Sequence, residues 1–414
     1  GFFQFLPVFT GGGTTLTPQA LEYHRIFTSL EYHRNLLFAR HRPPVTLLAP
    51  PDGVPPTPRE VSVSPPPFLR ATPPIPPFLA IISFGVLRKG WRYACVLILL
   101  AGATPASGSP VTDTRGSLDA YFLMRDIVET SNACDLPGVS IKFDPFLSCM
   151  WRAVERGFVD RDKASFVAEG LKSGFMAGVD ISKLRGHRWF HNYPPAIESR
   201  RAVTKANNKR VGAFKTLALG VWSASLGSLV RATFGATAIA PLNAVPKPME
   251  KDEVRPCTDH TRTGFNAATS LEFLGHSLDT YNEVARFLKN DYFMHVSDVD
   301  AAFPMLPFHW SLWPFLMFRF FASDDTDAMT LYMHVCGDFG TRGMPGVFKI
   351  FFSDVVANMA RSENVLTLPM PIYVDDMGLI GQFESVVLAE MAMFQAWASM
   401  VCGVIFKVIK DRKA

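Results

Sequence analysis

The sequence predicts an α/β (α+β) fold preceded by a long region that does not read as folded, and three observations carry that reading. From about Ser117 onward, short β-rich runs alternate with segments of amphipathic helical spacing. Two of the apolar runs deliver aspartates, one through His295-Val296-Ser297-Asp298, the other through Ile372-Tyr373-Val374-Asp375-Asp376. Residues 1–77, by contrast, carry recurrent prolines such as Pro43-Pro44, Pro50-Pro51 and Pro65-Pro66-Pro67, which remove backbone donors and bias the chain to extended polyproline II.

Composition sets the outer limits. With 48% hydrophobic and 19% charged residues over 414 positions, the chain can bury a core in two or three domains of ~100–200 residues each. A formal net charge of +4 permits a polyanionic partner without arguing for one, so any basic surface must be local. The six cysteines form no CxxC pair, which excludes a zinc ribbon, disfavours a disulfide scaffold and fits a reducing compartment. A start at Gly1 rather than Met suggests a fragment.

In chain order, residues 78–116 hold two apolar runs split by Arg88-Lys89-Gly90-Trp91-Arg92, each too short to span a bilayer. They imitate the zones of a signal peptide but lie inside the chain, so no stable membrane association is expected. Leu118 to Thr130, Phe146 to Arg156 and Asp160 to Phe175 read as helices. Asp144-Pro145 introduces the second, and Asp160 or Asp162 is available to cap the third. Prolines at 194 and 195 break the pattern before a basic, helix-like run from Arg200 to Lys209.

Ala240 to Asp259 reads as a β-hairpin whose charged turn carries Lys247, Lys251 and Arg255. Cations there could be ordinary surface charges or grips for a triphosphate, with arginine offering a planar fork to phosphate oxygens. Next come the strand ending at Asp298, buried strands over Phe315 to Phe320 and Thr330 to Val335, and the Gly-rich loop Gly337 to Gly346. A helix over Val347 to Arg361 leads into a hairpin with Asp375-Asp376 at its tip. Adjacent like charges raise each other's pKa unless a cation neutralises them. Alone the tetrad is as readily a solvated turn as half of a divalent-metal site.

The order of these blocks resembles the fingers and palm of a retroelement reverse transcriptase, of DIRS-like or related long-terminal-repeat type. Asp298-Val299-Asp300-Ala301-Ala302-Phe303 is similar to the family's first carboxylate motif, and Phe339-Gly340 with Pro345 to its loop–helix motif. Tyr373-Val374-Asp375-Asp376 is similar to its tyrosine-x-Asp-Asp signature, and Gly403 with Lys410 resembles its lysine motif. Pro241-Leu242 through Asp259, with Asn266, resembles the fingers hairpin. The resemblance covers residues 190–414 and implies a polymerase right-hand palm with fingers, its antiparallel sheet backed by helices.

It further implies an RNA-directed DNA polymerase that uses Mg²⁺ (two ions, or Mn²⁺) and dNTPs to extend a primer on an RNA or DNA template inside the cell, in cytoplasm or nucleus. Asp298, Asp375 and Asp376 would be the metal ligands. Lys410, with Lys407 close by, would protonate the leaving pyrophosphate. Lys247, Lys251 and Arg255 would hold the triphosphate, with backbone N–H groups of Ala301 and Ala302 on phosphate oxygens. Phe303 would exclude a ribose 2′-hydroxyl, and Phe339 and Gly340 would line the nucleotide. Two departures stand out: Asp338 replaces the family's usual proline, and no thumb follows the lysine motif. The domain reading is a Pro-rich region at 1–77, an apolar segment and linker at 78–116, a helical region at 117–190, fingers at 191–290 and palm at 291–414. The rival reading is a non-catalytic remnant that binds nucleic acid or only folds.

Overall fold

A computed structural model describes residues 118–247, 253–275, 281–289 and 291–407. The expectations for residues 1–116, Lys251 and Lys410 fall outside the described residues. All described residues belong to one compact unit. The fold is mixed α/β, with helices packed on one mixed and two antiparallel sheets.

Three helices open it: α1 (Asp119–Thr130), α2 (Phe143–Glu155) and α3 (Arg161–Ser173). Each turns an apolar stripe inward, for example Phe146, Met150 and Ala153 of α2. Asp160 caps α3 by accepting from the N–H groups of Asp162 and Lys163, both at 3.0 Å. The cap read for α2 is corrected. Lys142 holds that position and Asp144 lies in the first turn, where its charge still complements the helix dipole.

The prolines at 194 and 195 do not interrupt helix but start one, because a first turn needs no N–H from them. Strand β1 (His187–Trp189) is followed by α4 (Pro194–Glu198) and the basic α5 (Arg200–Gly212). Then come β2 (Thr216–Val221), α6 (Ala224–Thr233), β3 (Thr237–Ala240), and the hairpin β4 (Leu242–Pro246) with β5 (Val254–Thr258). The short α7 (Tyr281–Phe287) leads to β6 (Phe293–Asp298).

Strands β7 (Met317–Phe321) and β8 (Met329–His334) join a five-stranded sheet in the order β1-β3-β7-β8-β2, parallel on the β1-β3-β7 side and antiparallel on the other. Both faces of β7 are covered, hence a run that is apolar except for Arg319. Met317 turns into the main core, and Phe318 and Phe320 pack with Ala196, Val203 and Leu242 on the other side.

The rest builds the platform for the aspartates. Helix α8 (Met344–Lys349) runs through a π-helical stretch (Ile350–Val356) into α9 (Ala357–Ser362). The hairpin β9 (Ile372–Tyr373) and β10 (Asp376–Gly381) follows, then α10 (Glu384–Cys402). Strands β6, β10 and β9 form a separate antiparallel sheet. The main core runs from Leu118 to Val404. Among the described residues α10 alone is long and apolar enough to cross a bilayer, yet Val387, Met391, Phe394, Ala398 and Cys402 are buried in that core. The five described cysteines are all free thiols.

Candidate active site

The tetrad folds as the tightest of hairpins. Tyr373 pairs with Asp376, leaving Val374 and Asp375 as the two turn residues. Val374 takes φ +58°, a left-handed conformation that glycine adopts freely and a β-branched residue adopts only under strain. On the other side β10 pairs with β6 so that Asp376 lies directly opposite Asp298. The N–H of Val299 donates to the carbonyl of Asp375 at 3.1 Å, tying the turn to the strand that carries Asp298. Asp298, Asp375 and Asp376 are thus brought to one end of one sheet.

Their electrostatics follow from that crowding. Burial, then the charge of Asp298, pushes the Asp375 carboxyl above the usual range, and Asp376 adds to the effect. Asp376 is raised for the same two leading reasons, while Lys407 and Arg255 pull it back. Asp298 Oδ1 is buried without a hydrogen-bond partner. Its Oδ2 accepts from the Lys407 ammonium, and its backbone carbonyl accepts from the Lys407 N–H at 2.9 Å. Among the described residues no three acidic, His or Cys side chains converge tightly enough to cage an ion as they stand.

Lys407 is therefore the cation found at the carboxylates; Lys410 lies outside the described residues. Val299 bridges Phe406, and the Asp300 N–H donates to the Ile405 carbonyl at 2.8 Å, so the chain after α10 returns alongside the end of β6. Gly403 makes the return possible: it ends α10 at φ +65°, and a Cβ there would sit 2.5 Å from the Ser140 carbonyl oxygen.

The β4–β5 hairpin contributes unevenly. Arg255 is exposed and close enough for its charge to act on Asp376. Lys247 is paired with Glu253 at 2.7 Å, and Lys205 joins the same carboxylate at 3.3 Å. Ala301, at φ +52°, and the buried Ala302 form the turn after β6. Phe303 is only 7% exposed and packs with Phe339 at 5.4 Å and Phe348 at 6.0 Å between ring centroids. Phe339 itself is exposed, with Arg210 above its ring at 5.9 Å.

The loop after β8 is locked to the hairpin base. A Cβ on Gly340 would fall 1.7 Å from the Thr258 carbonyl oxygen, so only glycine permits this approach. Asn266 holds the same loop twice, donating to the Gly340 carbonyl and accepting from the Arg342 N–H, each at 3.0 Å.

Asp338, left without a role by the sequence, is the buried centre of a polar cluster. It accepts from His260 Nε2 at 2.8 Å and from the Thr341 hydroxyl, and His334 Nε2 lies 3.7 Å away. Burial works to raise its pKa, but His260, His334 and the hydrogen bonds outweigh burial and hold it well below the usual carboxylate range. His334, bonded to Thr216 and Thr258 at 2.9 and 3.1 Å, is pushed down to about 3 by burial and stays neutral. Arg210 of α5 faces the cluster, its guanidinium lowered by burial while Asp338 opposes that shift.

No match was found for this chain among protein-family models or among curated proteins.

Proposed function

We propose that this chain is an RNA-directed DNA polymerase of reverse-transcriptase type, with residues 291–414 as a right-hand palm and the β4–β5 hairpin as part of its fingers. The observation that carries the reading is the register that sets Asp376 opposite Asp298 with Asp375 at the adjoining turn. Three carboxylates at one sheet end, two with raised pKa values and one with a buried oxygen lacking a partner, are a donor set that divalent cations would satisfy. Asp298, Asp375 and Asp376 would hold two Mg²⁺, with Mn²⁺ as substitute. When bound, the ions supply charge to the triphosphate and acidify the primer hydroxyl.

The protein's own groups do the remaining work. Arg255 meets the triphosphate of the incoming dNTP, and the turn at Ala301 and Ala302 offers N–H groups to phosphate oxygens. Phe303, wedged between Phe339 and Phe348, is the residue assigned to sugar selection. Lys407, beside Asp298, shares with Lys410 the role of proton donor to pyrophosphate. Template RNA or DNA with its primer would lie over the β6–β10 end.

The test is primer extension by the full chain on RNA and DNA templates with Mg²⁺, with Asp375→Asn and Asp376→Asn as controls. Extension that stops in both variants is expected; undiminished extension in either overturns the metal assignment. A second reading, a non-catalytic remnant that binds nucleic acid, is favoured by the Lys407 ammonium already occupying Asp298. Wild-type protein that binds primer–template yet never extends it would establish that second reading.

A further inference from the structure

Arg319 lies away from the aspartates and from the Asp338 cluster. It lies on β7, the central strand of the five-stranded sheet, and is 9% exposed. Its guanidinium is 4.8 Å from the ring centre of Trp189 at the end of β1 and 4.8 Å from that of Trp222 just after β2. Burial pushes its pKa down. Among the described residues no oxygen accepts from the guanidinium, and Nε is buried without a partner.

Another arginine packed on a ring is treated differently. Arg200 also lies over an aromatic ring, Phe321 at 3.8 Å, and its Nε is likewise buried without a partner, but its terminal N–H groups donate to the Ser323 and Thr326 carbonyls and pair with Asp327, whereas those of Arg319 meet no oxygen. Two indoles stabilise a guanidinium through its faces. They cannot accept its N–H groups, which radiate in the plane and call for oxygen. A buried Nε without a partner is costly, and the terminal N–H groups, which are not buried, are free to meet an anion that would draw the fork's donors together. The site also opens outward: Trp189 is 53% exposed, and Val221 beside Trp222 is exposed as well.

We propose that Trp189, Arg319 and Trp222 form a binding site for a phosphate group carried by a flat heteroaromatic ring, that is, a nucleotide, either free or as one step of a single strand. The arginine fork takes the phosphate oxygens and the exposed part of Trp189 takes the base by stacking. The site is on a different sheet from the aspartates and does not depend on their chemistry.

The experiment is a titration of the full chain by tryptophan fluorescence and calorimetry in EDTA, which removes metal-dependent nucleotide binding. The probes are a nucleoside monophosphate, a short single-stranded oligonucleotide, its abasic counterpart and inorganic phosphate. Binding of a base-bearing probe is expected, with the abasic strand or inorganic phosphate weaker by about tenfold. Trp189→Ala and Arg319→Lys should each weaken it by about tenfold as well, whereas Asp376→Asn leaves it unchanged. A strand that binds while the monophosphate does not assigns the strand; equal binding assigns the free nucleotide. If Arg319→Lys melts early, the exposed Trp189→Ala decides alone. No base-bearing probe bound, or wild-type affinity in Trp189→Ala, overturns the proposal and leaves the trio as a cation–π clamp of the fold.

Discussion

Asp376 stands directly across the β6–β10 pair from Asp298, so two carboxylates occupy a cross-strand position where opposite charges or apolar groups usually sit. The raised pKa values of Asp375 and Asp376 mean that each ionises more readily in the unfolded chain. Without divalent ions, stability must fall as pH rises from the ordinary carboxylate range near 4 through the raised values. Asp376 is exposed and solvent screens the repulsion, so Asp376→Asn should gain only about 0.2–0.5 kcal/mol in urea melts at pH 7 in EDTA, and nothing at pH 3. A loss of stability at pH 7 would contradict the repulsion described here.

A second pH dependence has the opposite sign. His334 is held neutral, at about 3 against an ordinary 6.5, so the unfolded chain binds the extra proton first. Its contribution is full above pH 6.5 and is lost as pH falls towards 3. His334→Gln should flatten the midpoint-against-pH curve over that window, although the variant is less stable at pH 7 for want of a well-shaped partner to Thr216 and Thr258. An unchanged acid limb in the variant would place the titrating group elsewhere.

Gly340→Ala puts a methyl group into the Thr258 carbonyl. The expected cost is about 2–3 kcal/mol by chemical denaturation, as the Gly337–Gly343 loop is forced off the hairpin base. The same change at Gly212, where a Cβ meets nothing within 4 Å, should be near neutral or slightly stabilising and serves as the control.

Val374→Gly tests the strained turn. Removing a half-buried isopropyl group costs about 1–3 kcal/mol, but glycine at this turn position also removes the left-handed strain of about 1–2 kcal/mol. A net cost below about 1.5 kcal/mol is expected from urea melts. A cost as large as that of an ordinary core Val→Gly change would show that φ +58° is not strained here.

What could be read in advance divides along sequence distance. The strands of the Tyr373 hairpin and of the β4–β5 hairpin are local and lie where their periods place them, but the Tyr373 turn is corrected by one residue: it is Val374-Asp375, not the expected Asp375-Asp376, because Asp376 is held in β10 by its pairing with Asp298. The strand β6 was visible for the same reason. Helix α10 was not, because it is apolar nearly all round and shows no stripe. The order β1-β3-β7-β8-β2 has no local signature, since β3, β7 and β8 are buried on both faces and the exposed β1 is only three residues long, so none of them announces its partners. Asp338 was legible only as an anomaly: its partners His260 and His334 come from other elements, and no motif spacing unites them. Arg319 had still less to mark it, being one basic residue in a run of phenylalanines.

The return of residues 405–407 along β6 has a mechanical meaning. Helix α10, about 28 Å long at 1.5 Å per residue, is tied to β6 by Gln395, which donates to Ser297 at 2.7 Å. Its far end continues through Gly403 into backbone bonds with Asp298 and Asp300. Asp298 is thereby clamped between the hairpin on one side and the exit of α10 on the other. A shift at the exit of α10 would be passed to the Asp298 backbone through those bonds, with no free residue between them.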